Sequence, residues 1–147
     1  MARRASLGPG TPDAAGPIFG WRVWRVSRLG SALRLRSVLR DDVWEAGAEL
    51  LAACKSGHEA PAEDCSCGVY AVRERAAAAR YLVGRNDAAD VDRVIGLVAL
   101  WGWVFIADGG WRAARAYPAR LLVSDDSVAA ALADYGVPVE RVRANAR

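Results

Sequence analysis

The residues best suited to chemistry in this chain are Cys54, His58, Cys65 and Cys67. They are every cysteine and the only histidine of the 147-residue sequence, gathered in one stretch, Cys54-x3-His58-x6-Cys65-x-Cys67-Gly68. Three thiolates and an imidazole are the donors that a closed, four-coordinate zinc site takes. The spacing suits such a site. Residues four apart meet on one side of a helical turn or tight loop, and residues two apart on an extended segment point to one face. Gly68 then lets the backbone turn without a Cβ clash. Zinc is therefore the expected ion, in a structural role. The same Cys3His set can hold a [2Fe–2S] cluster, so a small redox or sensor protein is the alternative. A metallohydrolase would need an open coordination position beside a carboxylate such as Glu59 or Glu63, and nothing else in the sequence motivates one. The plain reading is three unliganded, mostly buried thiols and a surface histidine.

No second constellation points to catalysis. The sequence has no glycine-rich phosphate loop, Walker motif or dinucleotide fingerprint, so no nucleotide cofactor is expected. A Cys/His nucleophile pair would have to use residues better spent as ligands. The chain thus reads as a binding module rather than an enzyme, its partner a protein or a nucleic acid.

Charge and aromatic content suggest where a partner would sit. Residues 1–40 carry eight arginines against Asp13 alone, a net +7 in a chain of net +3, which leaves −4 on the remainder. Such asymmetry can mark a basic face, although solvated strand faces produce it too. The candidate interaction surface is Trp21, Arg22, Trp24, Arg25, Arg34, Arg36, Trp111 and Arg112, whose rings and guanidinium groups could stack or bind phosphate. Trp21 and Trp24 lie three apart on an expected strand and so point to opposite faces, as do Arg22 and Arg25. Packing of these rings in a core is the competing explanation.

The elements that must position these residues form a single α+β domain. Residues 1–17, rich in Gly, Pro and Ala with Arg3 and Arg4, are expected to be a disordered basic tail, and residues 18–147 one metal-stabilised domain. A strand over 20–26 and an alternating strand over 33–39 form a hairpin about a turn at 27–31, with Leu33, Leu35 and Leu39 on one face. Residues 45–53 are expected to form a short helix leading into Cys54. A strand starts at Cys67, and the Ala-rich stretch 73–83 is helical until Gly84. Residues 94–106 form a strand in which Gly96 and Gly102 mark bulges or close backbone approach. Asp108-Gly109-Gly110 is a hairpin turn, followed by a strand over 111–116 that Pro118 ends or places on an edge, and a short strand over 121–123. Asp125 or Asp126 caps a helix to Tyr135 that stops at Gly136. The expected architecture is an antiparallel sheet or partial barrel of about five to six strands with two helices and a metal-binding loop.

The class is further bounded by what is missing. Residues 1–20 contain no continuous apolar segment of a secretory signal. The stretch 94–106 is too short and glycine-broken for a membrane helix, which needs about 18 residues. An odd cysteine count argues against a disulfide framework. The expectation is a cytoplasmic protein with no membrane partner.

Three blocks also carry a resemblance. Cys65-Ser66-Cys67-Gly68-Val69-Tyr70-Ala71 with Cys54 and His58 upstream, Gly96-Leu97-Val98-Ala99-Leu100-Trp101-Gly102-Trp103-Val104, and Gly110-Trp111-Arg112-Ala113 followed by Ala116-Tyr117-Pro118 resemble a family of small actinobacterial and phage proteins with no established activity. The likeness spans roughly residues 20–123. It implies that the cysteine loop belongs with the strands around it, and implies no mechanism.

Overall fold

The computed structural model describes residues 3–7, by backbone alone, and residues 16–143. In chain order the strands are β1 (Arg3–Leu7), β2 (Ile18–Leu29), β3 (Ala32–Ser37), β4 (Val43–Trp44), β5 (Leu50–Leu51), β6 (Val69–Val72), β7 (Asp90–Ala107), β8 (Gly110–Val123) and β9 (Val139–Arg141). Helix α1 (Arg75–Ala79) follows β6 and helix α2 (Asp126–Leu132) follows β8, each running into a 3₁₀ turn. The described residues are thus strand-rich with two helices, as expected, but their nine strands exceed the expected five to six. The extra ones are two to five residues long and take their register from longer neighbours, so they leave little pattern of their own.

The β7–β8 hairpin organises the sheet. β2 pairs with β7 from Asp90 to Leu100, and β1 continues along the same edge from Gly102 to Ile106. The free edge of β8 is shared in turn by β6, β5 and β9. β3 adds to β2, and β4 to β3. β2 also meets β6 at the single pair Trp21 and Val72, so the circuit β2–β7–β8–β6 closes on itself. All pairings are antiparallel except β8–β9, so the sheet is mixed.

Two clusters pack against the sheet. The larger holds Trp24, Leu35, Trp44, Val98, Leu100, Leu121, Leu132 and Tyr135. Trp24 and Trp44 meet edge to face with centroids 5.5 Å apart, the geometry that the ring quadrupoles favour. The Tyr135 hydroxyl accepts from Leu35 N at 2.7 Å and donates to the Trp44 carbonyl, joining the end of α2 to two strands. On the other side of the sheet, Val23, Ile95 and Leu122 pack with Ala78 of α1. β2 is therefore buried on both faces over 23–27, which hides the alternation that a one-sided strand would show.

α2 keeps its expected signals. Asp125 accepts from the Ser127 and Val128 amides, Val128, Leu132 and Tyr135 face the core, and Gly136 at φ 70° ends the turn. Gly96 and Gly102 each satisfy one half of the expectation made for them. A Cβ on Gly96 would lie 2.0 Å from the Arg120 carbonyl oxygen, a close approach. Gly102, at φ 81°, sits inside the register shift between Trp101 and Val104.

Several expectations need correction. Residues 45–53 form no helix; they turn and pair briefly as β5 with β8, an available strand edge that outweighs local propensity. Leu39 is 81% exposed because β3 ends at Ser37, and Ser37 takes the inward position instead. β2 and β3 extend the hairpin to Leu29 and Ala32, leaving Gly30 and Ser31 as its turn. Pro118 does not end a strand. It lies inside β8 beside the register shift between Leu97 and Val98, where a missing N–H is tolerated. Arg3–Leu7, within the stretch expected to be disordered, pair as β1 along the edge of β7 left open beyond β2; the rest of that expected tail up to residue 15 lies outside the described residues.

Two measurements test these contacts. Gly96→Ala should cost more than about 4 kcal/mol in urea unfolding, since backbone must part from backbone, whereas Gly30→Ala, which meets no atom within 4 Å but sits at φ +63°, should cost about 1–2 kcal/mol. Asp90 lies with Arg25 in the interior, its side chain 1% exposed. Burial pushes its pKa up, but hydrogen bonds from the Ser27 hydroxyl, the Asp87 amide and Arg25 outweigh this and hold it below the ordinary 3.8. A depressed carboxylate stabilises the fold above its unfolded value and loses that contribution as pH falls through the folded one. Asp90→Asn should therefore cost about 3 kcal/mol at pH 7, and the difference in stability should shrink as pH falls below 3.8 and through the folded value.

Candidate metal centre

The loop between β5 and β6 brings Cys54, His58, Cys65 and Cys67 together. Their four donor atoms all lie within 4.8 Å of one another. Cys54 Sγ and Cys65 Sγ are 3.7 Å apart, and His58 Nε2 and Cys67 Sγ 3.3 Å apart. A tetrahedral ion with metal–sulfur bonds of about 2.3 Å would have sulfur–sulfur edges of about 3.8 Å, so the donor set fits one ion. The four residues grade from exposed His58, through half-buried Cys54 and Cys65, to buried Cys67.

The loop reaches this shape through turns rather than the helix expected before Cys54. Gly57 N donates to the Cys54 carbonyl at 3.0 Å, folding His58 back, and Cys65 N donates to the Ala62 carbonyl at 3.2 Å. Gly68 adopts φ 125°, and a Cβ there would press on Pro61 and Arg112 at 3.2 Å each. The Tyr70 hydroxyl donates to the Ser66 carbonyl and closes the loop onto β6.

Arg112 locks the ligand loop to the sheet. Although it is only 4% exposed, its Nη1 donates to the Cys67 carbonyl at 2.7 Å and its Nη2 to the Ala62 carbonyl at 2.8 Å. Its guanidinium lies 4.7 Å from the Phe105 ring centre. Three thiolates, a neutral imidazole and a divalent ion would sum to −1, and this buried cation beneath the loop opposes that charge. Among the thiols, burial pushes Cys67 up, while a hydrogen bond from the Ser56 amide pulls Cys54 down.

The other residues expected to form one Trp/Arg surface are dispersed. Trp24 and Arg25 are buried, as is Arg112. Arg25 donates to the Ser37 and Arg40 carbonyls at 2.9 Å each and pairs with Asp87 and Asp90. Arg34 pairs with Asp134 and Glu45, and Arg36 with Asp41 and Asp87. Arg22 bridges the gap between β2 and β6, donating to the Tyr70 carbonyl at 2.7 Å and to Ser37 Oγ at 3.1 Å beneath a 5.0 Å approach to the Trp44 ring. Burial draws its pKa down to about 10, with Asp42 opposing. Of the three tryptophans in the sequence-based set, Trp21 and Trp111 remain partly open, each under an arginine absent from that set, Arg75 and Arg73 respectively.

A comparison with protein-family models, with curated proteins and with solved structures finds no match. No helix among the described residues is long and apolar enough to cross a membrane.

Arg112 was missed as a positioning residue because nothing in Gly110-Trp111-Arg112-Ala113 says which face its strand buries. Arg112→Met keeps the stem and removes both hydrogen bonds to the loop. It should weaken metal affinity about 10–100-fold, the usual cost of losing a group that orients ligands, as read by competition with a chromophoric chelator.

Proposed function

We propose that the chain is a small binding module whose fold is stapled by one structural zinc ion on Cys54, His58, Cys65 and Cys67, and which contacts a protein or nucleic acid through a face bearing Trp and Arg. The convergence of all four donors within 4.8 Å carries this reading. A [2Fe–2S] cluster separates its two ligand pairs by an iron–iron distance as well as two bonds, so the close approach of all four donors favours a single ion. Four protein donors also leave no open position for a bound water, which favours a structural over a hydrolytic role. Glu59 and Glu63 are both exposed. Zinc there would fix the start of β6, whose Tyr70 carbonyl receives Arg22, and so would hold one wall of the cleft between β2 and β6. Unpaired thiols persist most readily in a reducing compartment, which supports a cytoplasmic location.

Metal analysis of purified protein should find one zinc per chain and a colourless solution. Chelation should lower the melting temperature by 10 °C or more, on the order of the several kcal/mol that structural zinc contributes. Visible charge-transfer absorbance would replace zinc by the cluster, and metal-free protein with unchanged melting would remove the staple.

A further inference from the structure

Resting on the module reading above, we infer that the face formed by residues 73–85 and the adjoining cleft binds single-stranded nucleic acid. Three observations support this face over the amino-terminal arginines. The first is charge. Arg25, Arg34, Arg36 and Arg40 are each met by a carboxylate, which neutralises half of the eight arginines of the first forty residues. Residues 73–85 instead hold Arg73, Arg75, Arg80 and Arg85 against Glu74 alone, a local +3 equal to the net charge of the whole chain. Among the described residues no carboxylate lies within ion-pair distance of Arg73, Arg80 or Arg85, and all three are exposed.

The second observation is aromatic interleaving. Arg73 lies 4.5 Å from the Trp111 ring centre, Arg75 5.4 Å from Trp21, and Arg80 5.6 Å from Tyr81. Trp21 and Trp111 flank β6, opposite Val72 and Ala71 respectively. Ala71 and Val72 face opposite sides of the sheet, so Trp111 with Arg73 lies across β6, while the pairs at Trp21 and Tyr81 border the same cleft. A guanidinium stacked on a ring offers its other face to a base and its edge to a phosphate, the combination used by sequence-tolerant single-strand binders.

The third is shape. A cleft of about 550 Å³ opens beside Trp21 and the Arg80–Tyr81 pair, lined by Trp21, Arg22, Tyr70, Ala78, Arg80 and Tyr81. Tyr70 and Tyr81 are 42% and 39% exposed at its rim, and Arg22 Nε on its wall is buried without a hydrogen-bond partner. A concave, aromatic-rimmed cleft receives splayed bases. The five-residue α1 is too short to read a major groove, which argues against duplex. Asp42 and Asp108 also line the cleft, but Asp42 is paired with Arg40.

The test is fluorescence anisotropy of the metal-replete full chain with a labelled dT12 oligonucleotide, alongside its duplex and a polyglutamate peptide. Binding should favour the single strand, quench tryptophan fluorescence, and fall with salt at a log–log slope of about −2 to −3, as three to four phosphate contacts require. Arg73→Ala with Arg80→Ala and Arg85→Ala should weaken binding at least tenfold with melting unchanged. If that variant melts early, Arg80→Glu with Arg85→Glu, both exposed, should give the same loss. No binding at 50 mM salt, equal binding of duplex or polyglutamate, or unaltered binding by a folded variant would overturn the inference. Zinc-loaded protein that ignores dT12 removes this inference and leaves the staple; metal-free, folded protein that binds dT12 does the reverse.

Discussion

The β7–β8 ladder is the constraint on which the rest of the molecule depends. Its two strands carry β1 and β2 on one outer edge and β6, β5 and β9 on the other, so every other strand is attached to it directly or through β2. The ladder tolerates this load because its irregularities are local. Gly96 admits the Arg120 carbonyl, Gly102 takes up one register shift, and Pro118 lies beside another. Each shift bends and twists the pair, and the bending lets β2 and β6 meet at Trp21 and Val72 to close the circuit.

Buried arginines do the work that a larger core would do elsewhere. Arg25, Arg93 and Arg112 are each at most 6% exposed. Arg25 ties the end of β3 to the loop before β7, Arg93 gathers the Tyr81 and Arg85 carbonyls after α1, and Arg112 gathers the metal loop. A planar fork with five donors can satisfy several loop carbonyls at once, which a lysine ammonium cannot do with fixed geometry. Loops without secondary structure are thereby fastened through their backbones. The metal loop is the extreme case, held from below by Arg112 and drawn together at its tip by four side chains suited to one ion.

Charge shows how far a linear count departs from a folded surface. The amino-terminal excess of arginine meets acids supplied by Asp87, Asp90 and Asp134, residues far along the chain. The short stretch around α1 has fewer arginines but keeps Arg73 and Arg80 exposed beside aromatic rings. Helix α1 covers the smaller apolar cluster with Ala78, so one element both seals the fold and presents the cations.

Several features were determined by sequence alone because their causes are local. The Cys54, His58, Cys65 and Cys67 grouping is a matter of residue type and spacing within one loop. Asp125, Gly136 and the stripe Val128, Leu132, Tyr135 define α2 through bonds and periodicity inside a single segment. The turn at Asp108 and Gly109 is equally self-contained. Tertiary structure decided what depends on partners distant in sequence. Residues 45–53 became β5 because β8 offered an edge, Arg112 and Arg25 went inside because loop carbonyls awaited their donors, and β9 formed along a strand it follows by a helix. A strand edge, a buried carbonyl or a neutralising carboxylate is supplied by the folded neighbour, and no local pattern around the recipient records it.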